Sequence, residues 1–176
     1  MVLNDSDARM TISQYDLRSA STRNFSLKNQ RNRVYGQKTG FLCHSHKDRD
    51  LALGLQQWLK EQGMELYIDW QDAYMPEIPD GATADRIRTV IKGADVFLFL
   101  ATNDSMASRW CPWELGFADG IKRNEQIAVI ATRDASGNYY GNEYLQIYRR
   151  IDQVTPSNAL YWYPKGSQSP YYLSSF

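Results

Sequence analysis

Glu114 is the residue of this sequence whose surroundings most invite chemistry. Read as a helix, residues 108–121 set Trp110, Trp113, Phe117 and Ile121 on one face at spacings of three and four, and Glu114 falls inside that apolar arc. A carboxylate there is costly to bury as the anion unless something specific pairs with it. It either reaches solvent at the edge of the stripe, bonds to neighbouring backbone, or serves a ligand. A second group of reactive types is Cys43-His44-Ser45-His46, a thiol and two imidazoles at the end of an apolar run. Adjacent sequence rarely places a nucleophile and its base correctly, so a thiol hydrolase built on Cys43 with His44 or His46 is a weak third reading. No Cys/His spacing suggests a metal site, and no Gly-rich phosphate loop is present.

The elements that must position these groups can be read in order. A short strand over 39–43 runs into the polar turn His44-Ser45-His46-Lys47-Asp48, where Asp48 is placed to cap a helix carrying Leu51, Leu55, Trp58 and Leu59. A second strand covers 65–69. The polar loop 70–80, with Pro76 and Pro79, is long enough to suggest a functional role. A helix over 82–92 follows, then a nearly all-apolar strand over 95–101, as expected of a central parallel strand covered on both faces. The polar turn 102–105 leads into the Glu114 helix, with Pro112 tolerated near its first turn. A fourth strand is predicted over 126–132, a short helix over 143–151 and a fifth strand over 159–163.

Strands alternating with helices predict an α/β fold: a doubly wound, five-stranded parallel sheet in the flavodoxin-like order 2-1-3-4-5. Ligands of such sheets sit beyond the carboxyl ends of strands one and three. That crevice would collect His44, Ser45, His46, Ser105, Arg109, Trp110 and Glu114.

The chain divides into an arm over 1–36, a domain over 37–163 and an aromatic tail over 164–176. The arm is basic and mostly irregular, with room for one short docked helix, and is expected to contribute little to stability. The tail's Tyr171, Tyr172 and Phe176 are expected to pack on the domain. With 20 basic and 20 acidic side chains among 176 residues, the charge balance argues against a nucleic-acid partner. No apolar run approaches a membrane span, and no signal peptide is visible. Cys43 and Cys111 form no disulfide framework, so a reduced, cytoplasmic setting is the expectation.

Three stretches carry a resemblance to the Toll/interleukin-1 receptor (TIR) domain family, of the bacterial NAD-processing, Thoeris-like antiphage defence type. Phe41 to Asp48 resembles the family's first box. Tyr67-Ile68-Asp69 and the loop after it are similar to its second strand and BB loop. Ser105 to Glu114 is similar to its Ser-rich turn and Trp-x-x-x-Glu pattern, matched by Trp110 and Glu114. Receptor-type members carry Arg-Asp…Pro-Gly in the loop, where this chain has Asp69-Trp70-Gln71-Asp72 and Met75-Pro76.

The resemblance implies an NAD nucleosidase or ADP-ribosyl cyclase that cleaves the nicotinamide–ribose bond of NAD, with NAD as substrate and no further cofactor. Glu114 would stabilise the ribose as positive charge develops there, as in glycoside hydrolysis, and Trp110 would wall the pocket. His46, Lys47 and Arg109 would receive the pyrophosphate, and Trp70 would offer a stacking surface. It also implies self-association through the 70–80 loop and a separate effector that senses the product. The alternative is a non-enzymatic TIR scaffold that recruits partners through the BB loop.

Overall fold

The computed structural model describes residues 12–25, 37–153 and 159–176. In chain order these form β1 (Ile12–Ser13), α1 (Gln14–Phe25), β2 (Lys38–Cys43), α2 (Arg49–Glu61), β3 (Met64–Tyr67), α3 (Gly81–Gly93), β4 (Val96–Ala101) and α4 (Asn103–Met106). There follow α5 (Trp110–Ile121), β5 (Ile127–Arg133), β6 (Tyr139–Tyr140), β7 (Arg149–Gln153), β8 (Leu160–Tyr163) and β9 (Tyr171–Tyr172). Every residue of β4 is buried, which is why this run carries no polar alternation.

The sheet runs β3-β2-β4-β5-β7-β8-β9. The first five strands pair in parallel, and β8 and β9 add antiparallel hairpins at one edge. The order expected from sequence therefore holds for the parallel strands, but the fifth is β7, not the run at 159–163. A helix was expected over 143–151. Instead a 3-10 turn at Glu143–Ile147 gives way to β7, and β8 returns antiparallel to it. Arg149, Arg150 and Asp152 hid the strand from a hydrophobicity reading, because only Ile151 supplies an aliphatic side chain.

Alternate residues of the strands feed two core layers. Leu98 and Leu100 face α1 and α2 together with Leu42, Leu66, Ile130 and Ile151. Phe97 and Phe99 face the other side with Phe41, Cys43 and Val129, against Ile87 and Ile91 of α3 and Cys111, Leu115 and Ala118 of α5.

The mostly irregular arm expected over 1–36 needs correction where it is described; residues 1–11 and 26–36 lie outside the described residues. β1 pairs in parallel with the end of β5, and Gln14 Nε2 donates to Thr132 Oγ1 at 3.0 Å. Leu17 and Ala20 of α1 are fully buried in the core layer. The helix backbone meets α2 at Gly54, where any Cβ would overlap the Leu17 carbonyl. A weak apolar periodicity hid this: only Ile12, Leu17 and Ala20 are needed to dock the segment. In the tail, Leu173 and Phe176 are buried in the same layer, and Tyr171 stacks on Trp162 at 4.7 Å.

Candidate active site

The carboxyl end of β2 meets the start of α5, and the turn after β4 leads into the same helix. Ser108 caps that helix: its Oγ accepts from Trp110 N at 3.1 Å and from Cys111 N at 3.3 Å. Pro112 follows inside the first turn, where its missing N–H costs nothing. The buried face of α5 is Cys111, Glu114, Leu115 and Ala118. The aromatic stripe lies on the other side. Trp110 is 36% exposed, Trp113 38% and Ile121 45%, so the apolar arc marked by these spacings does not face the core. Trp110 and Trp113 meet edge to face at 5.6 Å, and Trp113 stacks on Phe117. Glu114 stands at the seam between the two faces.

Only 6% of Glu114 is exposed. Its carboxyl adjoins the Cys43 thiol at the end of β2, and that thiol lies 3.6 Å from the Cys111 carbonyl oxygen. Burial pushes the carboxyl well above the ordinary glutamate range, with Cys111 adding to the rise and the Cys43 thiol opposing it. Burial likewise pushes the Cys43 thiol up. Cys43 is fully buried and adjoins Glu114 and Cys111 rather than a histidine. It has neither the access nor the base of a thiol nucleophile.

Beside it, His44 and His46 hold different states. His44 Nδ1 lies 3.2 Å from the Leu42 carbonyl, so it must donate, and Nε2 accepts from Trp70 Nε1 at 3.1 Å. Both nitrogens are thus committed in the neutral ring, and burial lowers its pKa. His46 is exposed, with Nε2 2.8 Å from Asp69 Oδ2; that hydrogen bond raises its pKa. Asp69 also accepts from the Trp70 backbone N–H at 2.8 Å. Burial works to raise its carboxyl, but His46, His44 and the Trp70 N–H together pull it below the usual range. The Trp70 ring packs on the core edge with the Arg49 guanidinium 4.3 Å over it.

The remaining expected residues divide. Ser45 accepts from the Lys47 N–H and caps a 3-10 turn, and Lys47 Nζ pairs with Asp104 at 3.4 Å. Arg109 is exposed just before α5. Ser105 is fully buried in a reciprocal cap with Thr102, so it shapes the turn after β4 rather than facing the crevice. Asp48 makes no helix cap; its carboxylate accepts from Thr102 Oγ1 at 2.5 Å and ties the β2 turn to the β4 turn. The sequence reading named Glu114, Trp110, His44, His46 and Trp70; of these, hydrogen bonds and Asp69 join His44, His46 and Trp70, while Trp110 stands on the exposed face of α5 against Trp113. It missed Asp69, which organises the two histidines, and Cys43 and Cys111, which bracket Glu114. An aspartate at a strand end before a long loop was the available signal. Among the described residues no group of His, Cys, Asp and Glu could hold a metal ion, and no helix is long and apolar enough to cross a membrane.

The loop 70–80 is braced from within. Asp72 accepts from Tyr67 Oη at 2.7 Å and Arg86 Nε at 2.7 Å. Asp80 and Thr83 form a reciprocal cap that starts α3. This leaves Tyr74 83% and Ile78 80% exposed.

The family model for the TIR domain matches residues 41–156. A probable 3′ cyclic ADP-D-ribose synthase, ThsB′, of Bacillus cereus (strain MSX-D12) is 31% identical over 121 residues, 68% of this chain; the matched part spans 63% of that protein's length. The parallel order, the crevice at the strand ends and the family match agree: this chain belongs to the TIR domain family.

Proposed function

We propose that this protein cleaves the nicotinamide–ribose bond of NAD and closes or transfers the ADP-ribose part, releasing a cyclic ADP-ribose signal. The observation that carries the reading is Glu114, a carboxyl buried at the crevice with Trp110 one turn before it on the same helix. Nicotinamide leaves as a neutral molecule from a cationic ring, so the step needs no general acid. It needs a negative group against the ribose while positive charge develops, in a setting dry enough for that charge to matter. The cationic ring itself favours the ionised carboxyl, so binding of NAD would draw the proton off Glu114. His46, Lys47 and Arg109 are the cationic groups on the open side, suited to the pyrophosphate. The relative's name as a cyclic ADP-D-ribose synthase supports the choice of product class.

Tyr74 and Ile78 suit contact with a second copy, which would cover the open side of the crevice. The setting would be cytoplasmic antiphage defence, with a separate effector reading the product. The test is nicotinamide release from NAD by the purified protein, with products separated chromatographically. We expect turnover by the wild type and a loss of at least about 100-fold in Glu114→Gln. Wild-type protein that is folded and inert at every concentration would favour the scaffold reading instead, since Tyr74 and Ile78 stay exposed in either case.

A further inference from the structure

After β2 the chain makes a 3-10 turn over His46–Asp48, closed by Asp48 N donating to the Ser45 carbonyl at 2.9 Å, and Arg49 opens α2 directly after it. Side chains three residues apart eclipse in such a turn, so His46 and Arg49 leave the chain on one side. Both are exposed. Each is met by one of two adjacent residues that follow β3. His46 Nε2 lies 2.8 Å from Asp69 Oδ2, and the Arg49 guanidinium carbon stands 4.3 Å from the centre of the Trp70 ring. Trp70 is itself fixed twice, by its backbone N–H on Asp69 Oδ1 at 2.8 Å and by Nε1 on His44 Nε2 at 3.1 Å. The guanidinium therefore rests on a platform tied to both histidines.

The neighbouring cations are already paired, His46 with Asp69 and Lys47 with Asp104 at 3.4 Å. Among the described residues no carboxylate stands within ion-pair distance of Arg49. Asp48, the residue before it, is turned to Thr102 Oγ1 instead. A ring face attracts a cation but supplies no oxygen acceptor, so the contact leaves the fork of guanidinium N–H groups to be filled. An exposed arginine ordinarily keeps its rotamer freedom and loses it on binding. Here Trp70 holds the head in place with its donors unspent, which is the preorganisation that bidentate capture of an oxyanion needs. The same contact covers one face of the Trp70 ring, which is then closed to a stacking base.

We propose that Arg49 is a phosphate-binding residue: its guanidinium, held over Trp70, and the His46 imidazole grip one pyrophosphate between them. This rests on the NAD reading and gives that substrate's pyrophosphate a bidentate partner. Lys47 is a point charge spent on Asp104, and His46 has one ring nitrogen engaged by Asp69.

Calorimetric titration of inorganic pyrophosphate and of ADP-ribose into wild-type, Arg49→Gln and Arg49→Lys protein tests it. We expect Arg49→Gln to weaken both ligands at least about tenfold, as loss of a charge-assisted hydrogen-bonding group predicts. Arg49→Lys should recover only part of this, because an ammonium cannot fork. Amide exchange in residues 70–80 should stay as in the wild type. Unchanged affinity in folded Arg49→Gln protein overturns the proposal. So does a loss accompanied by faster exchange in 70–80, which would mean that Arg49 acts through Trp70. Nicotinamide release is followed in parallel. Release by the wild type with an unmoved KM for NAD in Arg49→Gln sinks the Arg49 contact alone. A folded wild type that never cleaves NAD, yet loses pyrophosphate on Arg49→Gln, sinks the NAD reading and keeps the phosphate contact.

Discussion

Trp70 Nε1 donates to His44 Nε2 across 3.1 Å, joining the end of β2 to the first residues of the exposed loop. Because His44 Nδ1 is engaged by the Leu42 carbonyl, the bond also fixes the ring as a neutral tautomer. Trp70→Phe keeps the ring but removes the donor, leaving a buried acceptor without a partner. That costs about 1–3 kcal/mol. We expect a lower Tm and faster amide exchange concentrated in residues 70–80. Unchanged exchange there would mean that the loop is held by Asp72 and Arg86 alone.

His46 gives a pH signature. Its hydrogen bond to Asp69 raises its pKa, so it stays protonated to higher pH than an ordinary histidine. If the imidazolium receives the pyrophosphate, kcat/KM falls as pH rises through that raised pKa, with the change carried by KM. His46→Gln should flatten this limb. A profile that is identical in the variant would remove His46 from binding.

Much of this architecture is legible in the chain because β4 and the buried stripe of α2 are strongly apolar. β7 is not legible, since two arginines and an aspartate interrupt it and its pairing is decided by β5 and β8. The α5 faces were misread for a related reason. Tryptophan is read as core by periodicity, yet here small Cys111 and Ala118 are what fit between the helix and the sheet. Position in sequence identified Glu114 and the histidines, but Asp69 and Cys43 acquire their roles only through contacts 23 to 71 residues away, which no local pattern encodes.

α1 should behave as part of the domain. Leu17 is fully buried and its carbonyl rests on Gly54. Leu17→Ala should destabilise by about 2–5 kcal/mol, and Gly54→Ala should force the helices apart. Deleting residues 1–25 should lower Tm by far more than a few degrees. A truncated protein that melts with the full chain would show that α1 contributes nothing to its stability.

Self-association has a direct measurement. Tyr74 and Ile78 are largely exposed, Tyr74 with the Arg86 guanidinium 5.5 Å from its ring centre, while Asp72 and Asp80 fix the loop beneath them. Replacing both with Ala should leave Tm unchanged and lower specific activity several-fold, with the loss greatest at low protein concentration. Specific activity that is constant with concentration in a monomeric wild type would end the assembly model.

Glu114 should cost the fold stability in return for its chemistry. Its folded pKa is raised above the unfolded value by burial, so the folded state holds the proton more tightly. The contribution is then full below the unfolded pKa and is lost as pH rises through the folded one, where a buried anion must be carried. Glu114→Gln removes that penalty without changing volume. The variant should match the wild type near pH 4 and exceed its Tm by a growing margin toward pH 8, while its NAD cleavage falls at least about 100-fold. Saturating substrate should narrow the margin from the other side, because a cationic ring beside Glu114 stabilises the wild-type anion and has less to gain from Gln. A variant less stable than wild type at pH 8 would show that the carboxylate is paired in the fold. Glu114 would then be a structural residue, not a charge kept in reserve for the ribose.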